Sequence, residues 1–348
     1  MAKWIVPVAA GLTLGILVVA MAGNPLAGSG GEGGAAPTSQ PVRQAANPST
    51  NRPVLPMASA APNCSAERAT AVDGRPVPRD PNETVKYPSS ELVAACEKKA
   101  AGIRSEHGDK LKVVVHPPFV VAGDMSVARL ESHAKYSVVR PAKAMWASHF
   151  EKKPDKVITT FLFAGATNYK RYAARDYPSG GVPYFGYYSP SSRTMVMNIN
   201  TGGGTLVHEL THALIVYDFP GVPTWFNEGL ASLHEQCNIG ESGITGLTNW
   251  RLPGLHKAIA AGSLRPLAEL VTKRDFYGRL QGVNYAQARY FVMYMQKKKL
   301  LRTFYRYFRD HAEGKGADVA AIEHVFGKKI GEIEPEFIAW VKTLKFRR

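Results

Sequence analysis

Thr205-Leu-Val-His-Glu-Leu-Thr-His-Ala-Leu-Ile-Val-Tyr217 is the stretch from which the rest of this 348-residue chain can be read. Leu206, Leu210, Ala213 and Tyr217 recur at helical spacing, and His208 and His212 stand one turn apart on roughly the opposite side. Two imidazoles so related can aim at one point, an arrangement that a zinc ion accepts. Glu209, beside the first of them in this H-E-x-x-H pattern, is placed to take a proton from a metal-bound water. A surface helix carrying two solvated histidines is the competing reading. Val207, Leu214, Ile215 and Val216 oppose it, because they leave little polar surface. A buried histidine pair next to a buried glutamate needs a partner, and a metal ion is one.

Two histidines leave zinc under-coordinated, so a third ligand is expected downstream. Glu228 lies sixteen residues after His212 in Pro223-Thr-Trp-Phe-Asn-Glu-Gly-Leu-Ala231. Thr224 is a candidate cap for a second helix with Trp225, Phe226, Leu230 and Leu233 as packing residues. A reversal at Pro220 and Gly221 would return that helix alongside the first. Asp218, six residues after His212, is the competitor. The metzincin scheme that uses this position needs a glycine at 215, where Ile215 stands, so Glu228 is preferred.

At His208-Glu-Leu-Thr-His212 and Trp225-Phe-Asn-Glu-Gly-Leu-Ala231 the chain resembles the gluzincin zinc metallopeptidases of the peptidase MA-like (thermolysin-like) superfamily, less specifically over residues 110–344. The resemblance implies an α+β, zincin-like catalytic domain with a small mixed β-sheet, an active-site helix pair and an all-helical C-terminal part. It implies Zn2+ held by His208, His212 and Glu228, with Glu209 as general base. Many gluzincins carry an aspartate four residues after the glutamate ligand to orient the first histidine. Ser232 occupies that place here, and Asp218, Ser232 or Glu235 are the candidates for the duty. An oxyanion donor is also expected, with Tyr285 first and His234 second. Residues 195–200 form an expected strand whose edge would hold an extended substrate.

The chain in order supports this organisation. Residues 4–23 are an uncharged, mostly apolar run after a basic start, with Ala20-Met-Ala22 suiting cleavage; a signal peptide over 1–22 and an uncleaved membrane anchor both imply export. Residues 23–88 are rich in Gly, Pro, Ala and Ser and read as a flexible linker. A zincin-like subdomain is expected over 89–251 and a helical one over 252–348. Expected elements are a helix from Ser90 carrying Leu92, Cys96, Ala100 and Ile103, strands at 112–116, 119–122, 157–163 and 194–200, and a helix over 126–150 interrupted near Pro141. Residues 177–188 read as a Gly/Pro/Tyr-rich loop, and Pro335 suits the first turn of the last helix. Cys64 and Cys96 could pair in an oxidising compartment, leaving Cys237 free.

The formal net charge of +15 suits contact with an anionic envelope surface, and much of it lies in the last fifty residues. Export argues against a nucleic-acid partner. The expectation is therefore an exported zinc-dependent metallopeptidase, membrane-anchored, periplasmic or secreted, acting on a peptide or protein. The alternative is a non-catalytic, zinc-stabilised envelope-binding module.

Overall fold

Valine, isoleucine, leucine and phenylalanine fill the central strands on both faces, the mark of a sheet covered on both sides. The computed structural model describes residues 87–346, apart from 241 and 315. The expected leader (1–22), nearly all of the linker (23–88) and Cys64 lie outside the described residues.

The described chain is mixed α and β. Helix α1 (Ser90–His107) starts at Ser89, whose hydroxyl caps Leu92 N, and leads into β1 (Lys112–His116) and β2 (Phe119–Gly123). Ser126 caps α2 (Val127–His133), which runs through a π-helical turn (Ala134–Val139) into α3 (Arg140–Ser148). The interruption expected near Pro141 thus falls just before it, and Pro141 sits in the first turn of α3, where no amide hydrogen is needed. There follow β3 (Ile158–Phe163), α4 (Ala166–Ala173), β4 (Gly186–Ser189) and β5 (Thr194–Asn198), and then the helices α5 (Gly203–Asp218) and α6 (Thr224–His234).

The five strands form one sheet in the order β1-β2-β3-β5-β4, with β2, β3 and β5 parallel and both outer strands antiparallel to their neighbours. The expectation that residues 195–200 form an edge is corrected here: β5 lies between β3 and β4, and β4 is the edge strand on that side, as β1 is on the other. The strand β4 was hidden in the segment read as a loop, because four residues with glycine at their head are too few to show a period. Glycine suits position 186, since a Cβ would fall 2.8 Å from the Val196 carbonyl oxygen as well as on the end of the Met197 side chain.

Alternation along the strands divides the interior. Val120, Ala122, Phe161, Phe163 and Val196 point to α1 and α4, where they meet Leu92, Cys96, Tyr169 and Ala173. Phe119, Val121, Ile158, Leu162, Met195 and Met197 point to the other face and join Leu206 and Leu210 of α5 in the larger core. Cys96 is buried in the smaller core, and burial pushes its thiol up to about 11.

Beyond α6 a short hairpin, β6 (Cys237–Gly240) and β7 (Gly243–Gly246), precedes helices α7 (Leu252–Ala260), α8 (Leu267–Thr272), α9 (Gln281–Lys297), α10 (Leu301–His311), α11 (Ala317–Phe326) and α12 (Ile330–Thr343). The last helix begins three residues earlier than its apolar period suggests, so Pro335 lies inside it rather than in its first turn. The described residues group into one unit, with α6 packed heavily on α9 across the expected division at 251. Much of the C-terminal positive charge is engaged: Arg306 and Arg309 pair with Glu151, Lys328 with Glu336 and Lys329 with Glu323.

Two buried imidazoles tie α3 to α6. His149 and His234 stack with centroids 5.7 Å apart and planes at 14°. Burial, then Arg302, pushes His149 down to about 4; burial, then His149, Arg289 and His208, holds His234 well below the usual range. Both are therefore neutral when folded and protonate near pH ~6.5 when unfolded. Stability from this pair is complete above that pH and falls as the pH drops toward 4, by up to about 1.4 kcal/mol per unit for each histidine. Urea unfolding of the wild-type chain should show this acid slope between pH 6.5 and 4.5, and His149→Phe should flatten it.

Candidate metal centre

Helix α5 is buried almost throughout, from Leu206 to Ile215, and its polar residues are enclosed with the apolar ones. It packs against α3, β4, β5 and α6. The position of α6 depends on two glycines at its contacts. A Cβ on Gly204, in the first turn of α5, would come within 2.4 Å of the Glu235 carbonyl oxygen. A Cβ on Gly229 would come within 2.9 Å of Val292 Cγ2 and 3.0 Å of the Ala288 carbonyl oxygen. Small residues at these points let α6 lie close to α5 at one side and to α9 at the other. The helix begins at Thr224 with Pro223 as its cap residue, so the expected Thr224 cap is not formed.

The two helices bring His208, His212 and Glu228 together. The Nε2 atoms of the histidines are 3.0 Å apart, and Oε2 of Glu228 lies 3.4 Å from His208 Nε2 and 3.6 Å from His212 Nε2. Ligand atoms ~2.0–2.1 Å from a tetrahedral zinc ion stand ~3.3 Å from one another, so the three separations bracket the expected edge. None of the three residues is more than 2% exposed. They form the group among the described residues that could hold a metal ion.

The outer nitrogens of both rings are occupied by other partners. Nδ1 of His212 lies 2.8 Å from Asn227 Oδ1, and Nδ1 of His208 lies 3.1 Å from Glu235 Oε1. Protons on these outer nitrogens leave a lone pair on each Nε2, facing the carboxylate of Glu228. Three electron pairs aimed at one buried point repel one another unless a cation or a proton stands between them. In the metal-free chain a proton serves. Burial alone would lower His208, but Glu228 and Glu235 outweigh it and push it up to about 10. Despite burial, His212 and His208 hold Glu228 well below the usual carboxylate range. A metal ion entering the cluster would release that proton.

Glu235 takes the place that sequence reasoning left open among Asp218, Ser232 and Glu235. It follows the last residue of α6, and Arg251 NH2 pairs with its Oε1 at 2.9 Å. Burial raises its carboxyl, but Arg251 and His208 win and hold it at about 2. Arg251 is itself packed over the Trp250 ring, at 4.2 Å, and the Tyr285 ring, at 5.1 Å. Ser232 is buried and its hydroxyl makes no hydrogen bond among the described residues.

Asp218 is elsewhere. Its carboxylate accepts hydrogen bonds from the Lys152 amide and the Tyr305 hydroxyl, each at 2.8 Å, and pairs with Arg309 at 3.3 Å. It ties the end of α5 to α10 and to the strand-bound half of the chain. His234, the second oxyanion candidate, has its Nδ1 3.0 Å from Thr211 Oγ1 and its ring stacked on His149.

Glu209 is fully buried, and neither carboxylate oxygen has a hydrogen-bond partner among the described residues. Burial, opposed by the two histidines, raises its pKa. Such an orphaned carboxylate is costly unless water or a ligand reaches it. Tyr285, on α9, is buried close enough to Glu228 for that charge, after burial itself, to raise its hydroxyl pKa. Tyr277 is the contact that the sequence did not disclose: its hydroxyl donates to Glu228 Oε1 at 2.6 Å from an irregular segment without periodicity. Asn227 was quoted within the motif without a role, and only the folded geometry gives it one.

No family model matches this chain, and no curated protein matches it significantly in sequence.

Two substitutions separate the candidate ligands. Glu228→Ala should abolish stoichiometric zinc uptake, whereas Asp218→Ala should keep it while lowering stability by about 3 kcal/mol, the loss expected when a buried pair is broken. Metal analysis of the dialysed proteins beside their urea curves would distinguish them. Gly229→Ala, by forcing α6 from α9, should lower stability by about 1–3 kcal/mol and weaken zinc binding as Glu228 is displaced. Calorimetric titration with zinc would reveal a misplacement if there is one.

Proposed function

We propose that this chain is an exported zinc-dependent metallopeptidase of the gluzincin type, with a zincin-like catalytic domain. The observation that carries this reading is the convergence of His208 Nε2, His212 Nε2 and Glu228 Oε2 on one buried point beside the unpartnered carboxylate of Glu209. A structural zinc site would need the three ligands, but it would gain nothing from burying a fourth, unsatisfied acid beside them.

When bound, zinc would polarise a carbonyl oxygen and lower the pKa of water at its open position. The protein's residues supply the rest. His208 and His212 would offer their inner nitrogens, the outer nitrogen of His212 being hydrogen-bonded to Asn227 and that of His208 lying 3.1 Å from the Glu235 carboxylate. Glu228 offers one carboxylate oxygen while Tyr277 holds the other. Glu209 takes the proton from the attacking water and passes it to the departing amine. Its burial suits it to this, since a carboxylate in an apolar setting is a stronger base than one in water. The Tyr285 hydroxyl, buried beside Glu228, is the donor best placed among the initial candidates to meet negative charge on the carbonyl oxygen.

Strand β4 gives an extended substrate a place to lie. It is the sheet's edge on the side that packs against α5, and its outer backbone groups are not paired with another strand among the described residues. A peptide added there would run beside the H-E-x-x-H helix. The export reading rests on the apolar run at 4–23. Among the described residues no helix is long and apolar enough to cross a membrane. Contact with an anionic envelope surface rests on the net charge of +15.

The full chain loaded with one equivalent of zinc should cut members of a mixed peptide library. Glu209→Gln should keep the zinc and lose activity by about 10²–10⁴-fold, the range for a general base. Mass spectrometry of the digests gives the readout. One bound zinc with no cleaved peptide would favour the zinc-stabilised binding module instead.

A further inference from the structure

The cluster that would do this chemistry is closed. His208, Glu209 and Glu228 are fully buried and His212 is 2% exposed, so neither a metal ion nor a peptide reaches them without movement. Of the side chains that touch the cluster, two extend to the surface. Asn227 is half-buried, but it belongs to α6, and its amide is bonded to the Pro223 carbonyl at 3.0 Å. It cannot withdraw without the helix that carries Glu228. Tyr277 is 40% exposed and belongs to no regular element.

Its segment, residues 273–280, joins α8 to α9. Phe276 is the one fully buried residue within it. Beyond the backbone bonds that join it to the flanking helices (Lys273 N to the Glu269 carbonyl at 3.0 Å, Gln281 N to the Gly278 carbonyl at 2.8 Å and Asn284 N to the Leu280 carbonyl at 2.9 Å), the segment is held by few contacts. Asn284 Nδ2 donates to the Phe276 carbonyl at 2.8 Å, and Gly278 N donates to the Asp275 carbonyl at 2.9 Å. Arg265, in the chain before α8, grips both carboxylate oxygens of Asp275 at 2.7 Å. The Tyr277 hydroxyl on Glu228, at 2.6 Å, is a further hold, and the Phe276 and Tyr277 rings lie 5.1 Å and 6.4 Å from the Tyr285 ring. A segment with one buried side chain and mostly exposed contacts lies at the low end of local stability, where moving elements are found.

We propose that residues 273–280 are a gate over the His208–His212–Glu228 cluster, latched by the Tyr277 hydroxyl on Glu228 and by the Arg265–Asp275 pair, and opened to admit metal and an extended peptide. This rests on the metal reading of the cluster. Tyr277 is in this view a positioning residue as well as a latch, since it fixes which oxygen of Glu228 faces the histidines. Asp275 touches nothing in the cluster, so it reports on the gate alone.

The test is kinetic and needs no substrate. Zinc uptake by the stripped full-length chain, and zinc loss to excess chelator, are followed with a chromophoric zinc indicator. Asp275→Ala should raise both rates by about threefold, the effect of losing one exposed ion pair, with the equilibrium affinity unchanged. Tyr277→Phe should raise both by about tenfold or more, having lost a hydrogen bond to a charged group. If only the rate of loss rises, so that affinity falls, Tyr277 and Asp275 merely support the ligand and the gate is overturned. Unchanged rates in both variants overturn it too. If Tyr277→Phe does not fold, Asp275→Ala decides. A wild-type chain that binds no zinc refutes the metal reading itself, a result evident before any variant is compared.

Discussion

The structure depends on how three carboxylates are tolerated inside one helix pair. Glu209, Glu228 and Glu235 are all buried or nearly so, around two histidines and one arginine. Burying a charge is costly unless it is paired and hydrogen-bonded. Glu235 has Arg251 and His208, Glu228 has the histidines and Tyr277, and Glu209 has no hydrogen-bond partner among the described residues. This ordering of satisfaction is what gives the centre its direction. Two of the acids are paired and the third, Glu209, is not.

The surrounding architecture can be understood as support for that arrangement. The sheet supplies a flat, apolar wall for α5, and the C-terminal helices supply a wall for α6. Trp225 and Phe226 lie among Phe291, Phe304, Tyr305 and Phe308, so the helix that carries Glu228 is fixed by aromatic packing as well as by the close approach at Gly229. Asp218 closes the other end of α5 by joining it to Tyr305 and Arg309 of α10. The acidic residue that might have been a ligand is thus a tie between the two halves of the core.

His208 has a carboxylate beside its outer nitrogen although Ser232, one turn after Glu228, offers none. The carboxylate comes instead from three residues further along, one turn away on the same side, and a longer side chain at Glu235 covers the distance. Arg251 in turn neutralises Glu235, and its guanidinium lies against the Trp250 and Tyr285 rings. Support for the His208–His212–Glu228 cluster therefore reaches to the surface through residues that no short motif contains.

Periodicity made the long elements legible: α1, α5, α9 and the strands β2, β3 and β5 each repeat apolar residues often enough to reveal their type. The spacing of His208, Glu209 and His212 was readable for the same reason, since a helix turns i and i+4 into neighbours. Glu228 is preferred over Asp218 in the sequence because Ile215 stands where the metzincin scheme needs a glycine, and it is Glu228 that the fold brings to the two histidines. Elements of four residues, such as β4, β6 and β7, carry no such period, and the identity of the edge strand followed only from pairing. The partners Glu235, Asn227, Arg251 and Tyr277 were likewise decided by tertiary structure. Their contacts with the centre depend on how α6 crosses α5 and how the segment before α9 folds back, and a distance in space between separate elements leaves no regular trace along the chain.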